Sequence, residues 1–176
     1  MDGAAMPVGV VAAAAAAAGT YLRIVEAPDA VLTKGAETAL ALAEAFCGQV
    51  LIGRAREDVI GVGADWQRLS GLPVRAIAGL TGSPRAGAPF VLPVEAYAVD
   101  IDSAGVGWVR VIAPGAATRV TVRYTAGLAD SWDGLPAPVA QGAMLLAAHL
   151  FEHREGSAEP PAAVAALWRP YRRMRL

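Results

Sequence analysis

The chain has 176 residues, 55% of them hydrophobic and 18% charged, against about a quarter charged in an average soluble domain. That length buries a real core and corresponds to one domain, or one domain with an appendage. A formal net charge of −1 excludes a global basic field for nucleic-acid binding, and the single Cys47 excludes a disulfide framework or a multi-cysteine metal site within one chain.

The run Ala12 to Ala18, preceded by Val8, Val10 and Val11, predicts a helix within residues 7–24 that leaves through Gly19 and Thr20. Alanine has the best intrinsic helix propensity, so the run needs little packing to be helical. No Lys or Arg precedes it and Asp2 carries the wrong charge, so it does not read as a secretory signal. It is also well short of the ~20 apolar residues that span a bilayer. The expectation is a cytosolic product with no membrane anchor.

A second helix is predicted from Asp29, a plausible N-cap, to Cys47. Leu32, Ala36, Ala39, Leu40, Ala43 and Cys47 form one stripe at three- and four-residue spacing, which puts Cys47 on the buried side. Gly48 suits the left-handed residue that ends a helix. The middle of the chain changes period. Residues 57–62 read as a short strand, and Glu95–Ile101 alternates with Tyr97, Val99 and Ile101 on one face. Trp108–Ile112 and Thr118–Tyr124 read as better strands with Pro114-Gly115 as turn chemistry between them. Thr81–Pro89, rich in Gly, Ser and Pro, reads as an exposed loop.

Helical signal returns after Pro136 and Pro138, which fit the first turn of a helix. Val139 to His153 is apolar nearly all round, as a helix buried on several sides would be, in a core or a subunit interface. Residues 156–161 break the chain and Ala162–Trp168 forms a last short helix. The order defines an α+β fold: an α-helical core of two N-terminal helices plus C-terminal helices, with an inserted antiparallel β unit. Both ends of the chain must then meet in one core.

His149-Leu150-Phe151-Glu152-His153 satisfies the letter of H-x-x-E-H, in which two histidines on one helix face hold Zn²⁺. A third protein ligand is needed, these are the chain's two histidines, and the helix lacks a polar face. His153 is more simply a cation near a helix C-terminus, and His149 a satisfied core or interface histidine. Asp100 and Asp102 share a strand face without a third carboxylate nearby in sequence, and the turn Asp102-Ser103-Ala104-Gly105 accounts for them. Gly61-Val62-Gly63-Ala64-Asp65 lacks the third glycine of a dinucleotide fingerprint, and neither G-x-S-x-G nor a P-loop occurs. No enzyme, no catalytic residue, no metal and no cofactor is expected. The alternatives are a metal-dependent hydrolase on His149, Glu152 and His153, and a small regulatory or toxin-like module whose tail binds a non-viral partner.

Nothing acidic follows Glu159, while Arg169, Arg172, Arg173 and Arg175 crowd the end beside Leu167, Trp168, Tyr171 and Leu176. Aromatic residues mixed with arginine have the composition of protein-interface anchors, so docking is favoured over a solvated tail. The order of features resembles the head–tail connector (adaptor) proteins of long-tailed bacteriophages and gene transfer agents. It runs from Tyr21-Leu22-Arg23-Ile24 through the alanine-rich helix closing at Gly48, Asp65-Trp66-Gln67-Arg68-Leu69 and Leu72-Pro73-Val74. It continues through Val122-Arg123-Tyr124-Thr125-Ala126-Gly127, Leu135-Pro136, Ala147-Ala148-His149, the Glu152/Arg154 pair and Pro170-Tyr171-Arg172-Arg173. The alanine run departs from the usual acidic, loop-rich entry.

The resemblance implies a single connector domain over 1–176, with N-terminal helices in 1–48, an inserted β unit in 49–127, a core helix in 135–155 and a docking segment in 160–176. It implies a homo-oligomeric ring, typically a dodecamer, beneath the portal protein of a virion or gene-transfer-agent particle, reached from the host cytoplasm during assembly. The ring would pass double-stranded DNA without sequence specificity and meet the next tail component, a stopper or tail terminator, with no membrane involved. Portal docking is carried over to Leu167, Trp168, Tyr171, Arg172, Arg173 and Leu176. Subunit packing falls to Met144, Leu145, Leu150 and Phe151 on the apolar helix.

Overall fold

A computed structural model describes residues 5–154 and 159–173. Its contacts divide into two units: a β unit, Gly53–Leu128, and a helical unit made of Ala5–Ile52 with the described residues that follow Leu128. Among the described residues, helix and antiparallel sheet are both substantial, and the fold is α+β as the pattern predicts.

In the helical unit, α1 (Val8–Tyr21), α2 (Ala30–Cys47), α3 (Ala137–Glu152) and α4 (Ala162–Trp168) come from both ends of the sequence. α3 packs against α1, α2 and α4. α1 buries Val10, Val11, Ala14, Ala15, Ala18 and Gly19; such small side chains let helix backbones approach closely. It does not leave through Gly19 and Thr20 but continues to Tyr21, with the Thr20 hydroxyl donating back to the Ala16 carbonyl at 3.0 Å. The stop comes from Arg23, held at φ 59°, and from the Ile24 amide on the Gly19 carbonyl at 2.9 Å.

α2 matches its pattern residue for residue. The Asp29 carboxylate accepts the Leu32 amide at 2.8 Å, the six predicted stripe residues are its buried face, and Gly48 closes it at φ 64°. α3 buries Val139, Gly142, Ala143, Leu146, Ala147 and Ala148. Where the chain leaves and re-enters this unit, Ile52 and Ala129 form a parallel bridge, and the Ala129 amide donates to the Leu51 carbonyl at 2.9 Å. Among the described residues no helix is long and apolar enough to cross a membrane.

The β unit holds two sheets. β1 (Arg54–Gly61), β7 (Ala117–Ala126), β3 (Val74–Pro84) and β4 (Phe90–Val91) form one in that spatial order. β2 (Gln67–Arg68), β6 (Gly107–Val111) and β5 (Tyr97–Ile101) form the other. β7 lies at the centre of its sheet and buries Val120, Val122 and Tyr124 in alternation with Arg119, Thr121 and Arg123. The Pro114-Gly115 turn does not close a hairpin; β6 and β7 belong to different sheets, so it carries the chain from one to the other.

The expected loop at Thr81–Pro89 is half strand. Thr81, Gly82 and Ser83 pair with Thr121, Val120 and Arg119 of β7, and only the stretch 85–89 is left as loop. Pairing overrides turn-like composition here because Gly82 is needed for space: a Cβ would lie 2.9 Å from Ala117 and from Leu92. Val74–Leu80, also in β3, has no strand pattern in sequence, because its register shifts between Val74 and Ala76 and again between Ile77 and Gly79. Glu95 sits in a 3₁₀ turn, Val94–Ala96, so the alternation starts at Tyr97, and Val99 and Ile101 are exposed.

A polar knot pins the segment after β2 to this sheet. The Tyr124 hydroxyl donates to Asp58 at 3.1 Å and accepts the buried Gly71 amide at 2.9 Å, while the Ser70 hydroxyl donates to Asp58 at 2.7 Å. Burial raises the Tyr124 pKa, so the phenol stays protonated and keeps its donor. Tyr124→Phe keeps the ring and leaves the Gly71 amide without its acceptor. The expected loss is about 1–3 kcal/mol, read as a lower urea midpoint with an unchanged slope.

Candidate docking surface of the helical unit

The C-terminal segment is built from α4 and the 3₁₀ turn Arg169–Tyr171 that follows it. α4 is too short to be stable by itself. It is fixed by Trp168, which is 3% exposed and donates its indole N–H to the Val139 carbonyl at 3.2 Å. The ring enters a notch at Gly142, where a Cβ would stand 2.3 Å from the indole nitrogen. Its other neighbour is Phe46, at 5.8 Å between ring centroids and 53° between planes. An apolar hollow of about 490 Å³ lies beside the indole, lined by Leu42, Phe46, Leu146, Pro161, Val164 and Trp168.

Beyond Trp168 the chain turns across the C-terminal end of α2. The Arg173 amide donates to the Cys47 carbonyl at 2.8 Å, and the Gln49 side-chain amide donates to the Tyr171 carbonyl. The Arg172 guanidinium sits 5.7 Å from the Phe46 ring centroid, within cation–π range. Leu167 and Tyr171 are half-buried, while Arg172 and Arg173 are exposed. Leu176 lies outside the described residues. Of the residues named for docking, Trp168 is the one placed inside: its ring is committed to its own unit and anchors the surface from beneath.

Met144, Leu145, Leu150 and Phe151 on α3 are all half-buried, so each keeps some apolar surface uncovered within the chain. Arg154 lies over Phe151 at 5.2 Å. Nearby, the His149 and His153 rings stack at 4.3 Å between centroids, and His153 caps the helix end with Nδ1 3.0 Å from the His149 carbonyl oxygen. Among the described residues no group of three or more His, Cys, Asp or Glu could hold a metal ion. Cys47 is fully buried and its pKa is pushed up to about 11 by desolvation, so the thiol is not a nucleophile at neutral pH.

In the β unit, Asp102 does belong to its turn. It accepts the Val106 and Ala104 amides, each at 2.9 Å, and the Trp108 indole N–H at 3.2 Å. The Val106 amide first, then the Trp108 indole, hold its carboxyl below the usual range. Trp66 is 43% exposed beneath the Arg110 guanidinium, 4.9 Å from its ring centroid. Sequence reasoning passed over Gly142, Phe46 and Gln49. A glycine inside an otherwise strong helical pattern was the available signal for Gly142; nothing in periodicity marks Gln49.

The fold is similar to that of chains in the gene transfer agent particle and its neck, and the resemblance read in the sequence is borne out by these solved structures. A chain of the neck of a native gene transfer agent (GTA) particle, computed with C12 symmetry, is 27% identical, with a TM-score of 0.79 over 100% of this chain and 97% of that one. A chain from the virion of the native gene transfer agent particle is 29% identical, with a TM-score of 0.76 over 100% and 96%. The neck of the empty particle, computed with C6 symmetry, gives 26%, 0.77, and 97% and 94%. No protein-family model and no curated protein matches the chain.

Gly142→Ala tests the notch. Alanine gains about 1 kcal/mol of helix propensity over glycine, but overpacking a filled site costs about 1–3 kcal/mol. With a contact of 2.3 Å to relieve, the clash is expected to win. Far-UV circular dichroism should record a lower melting temperature than wild type.

Proposed function

We propose that the chain is a structural connector of a gene-transfer-agent or phage-like particle, forming a ring beneath the portal that extends the DNA channel and joins head to tail. The observation that carries this reading is similarity over the whole chain to a neck protein of a native gene transfer agent particle computed with C12 symmetry. That symmetry supports a homo-oligomeric ring, and twelve is its proposed copy number. The particle is the site of action, with the host cytoplasm as the place of assembly.

Each proposed partner is assigned to a surface. The C-terminal segment, presenting Leu167, Tyr171, Arg172 and Arg173 over the buried Trp168 and continuing to Leu176, docks on the portal protein. Aromatic and arginine side chains are the residues that carry interface energy, and here a packed anchor holds them. Met144, Leu145, Leu150 and Phe151 bury their remaining apolar area against the adjacent subunit. The opposite side of the ring meets a stopper or tail terminator. Double-stranded DNA passes through without sequence-specific contact; a net charge of −1 suits a passage that must not grip the duplex. The reading assigns no catalysis and no cofactor.

Co-sedimentation with portal rings from the same genome tests the docking. The full-length chain is expected to pellet with the portal and a truncation ending at Glu159 is not. Because truncation also strips Trp168 from the helical unit, the double variant Arg172→Glu, Arg173→Glu is compared at unchanged melting temperature. It should bind at least ~10-fold more weakly, as hot-spot losses do. Equal binding by all three forms would refute docking through this segment. For the ring, Leu145→Asp places a charge at the proposed subunit contact, and light scattering should then report monomer where wild type is a ring.

A further inference from the structure

We infer that the corner at the end of α2, Gly48 and Gln49, is the platform that aims the docking segment, with Gln49 as a positioning residue for portal binding. The inference rests on the docking reading above and concerns how the free chain holds that segment. Among the described residues, Gln49 is the buried polar side chain, 9% exposed. A buried amide is costly unless it is hydrogen-bonded, and an apolar residue would fill the same volume more cheaply. Its side-chain N–H donates to the Tyr171 carbonyl, near the far end of the chain.

Two further contacts hold Arg173. The Arg173 amide satisfies the Cys47 carbonyl, one of the acceptors left open where α2 stops. Gly48 leaves room for the Arg173 carbonyl, which would lie 3.0 Å from a Cβ at that position. Residues 171–173 are therefore gripped through their backbone, with Arg172 extended at φ −70°, ψ 121°. Their side chains are not consumed by the grip: Tyr171 is half-buried, and Arg172 and Arg173 are exposed. Trp168 clamps the segment upstream and Gln49 clamps it downstream. Fixing a recognition segment before it meets its partner removes ordering cost from binding, so loss of the downstream clamp weakens docking without touching a contact residue.

The test uses Gln49→Leu in the full-length chain, with Gln49→Glu, which keeps the shape but lacks the amide donor, in reserve should Leu disturb folding as judged by circular dichroism. Trypsin cleavage of the Arg172–Arg173 bond in the free protein reads how often the segment lifts off its platform. Loss of one buried hydrogen bond predicts ~10-fold faster cleavage and ~10-fold weaker binding to purified portal rings. Unchanged cleavage overturns the platform, and faster cleavage with unchanged portal affinity overturns the positioning role. If the Arg172→Glu, Arg173→Glu variant binds like wild type, the docking reading itself fails and takes this inference with it; if that variant is weak while Gln49→Leu is not, docking stands and the platform falls.

Discussion

The seating of Trp168 in the notch at Gly142 is the contact on which the C-terminal half of the helical unit depends. α4 has seven residues, and an isolated helix that short is unstable in water. Its N-cap, Pro161, makes no side-chain hydrogen bond to the first turn. The indole supplies what the sequence of α4 lacks, a large apolar burial plus a hydrogen bond to the Val139 carbonyl of α3. The notch exists because position 142 has no side chain. A small residue on one helix and a large one on another is how a close-packed interior admits an aromatic ring without a void.

From that contact the chain acquires a division of labour along a few residues. Trp168 is spent on the interior, whereas Arg172 and Arg173 remain in solvent. An anchor inside and charged, hydrogen-bonding groups outside is a suitable arrangement for binding a partner without first ordering a tail. The same principle recurs in the β unit with polar chemistry in place of an aromatic plug. There Tyr124, Asp58 and Ser70 fasten a short connecting segment to the central strand.

Legibility in the sequence followed the range of the interactions. α2 was readable because its information is local: an Asp cap, a stripe at helical spacing and a terminal glycine all lie within twenty or so residues. α4 was readable to the residue for the same reason, between Pro161 and the Arg-Pro pair that ends it. β3 was not. Its second half looks like turn chemistry, and its first half is interrupted by bulges that erase the period of two. The Pro114-Gly115 turn was visible, but its role as a passage between sheets depends on which strands lie beside β6 and β7. For the candidate site, the sequence marked the aromatic–arginine end as a candidate interface. It could not tell that Trp168 faces inward, since an amphipathic aromatic suits either side of a surface.

The sequence by itself determined the class of the fold, the helices with local signals, and the alternation of β7. These properties reside in short windows of composition and period. Tertiary structure alone decided that Gly142 receives Trp168, that Gln49 holds the Tyr171 carbonyl, and that residues 171–173 lie against the end of α2. Each of those contacts joins positions far apart in the chain, and a side chain's partner across such a distance is fixed by packing, for which one-dimensional spacing carries no signal.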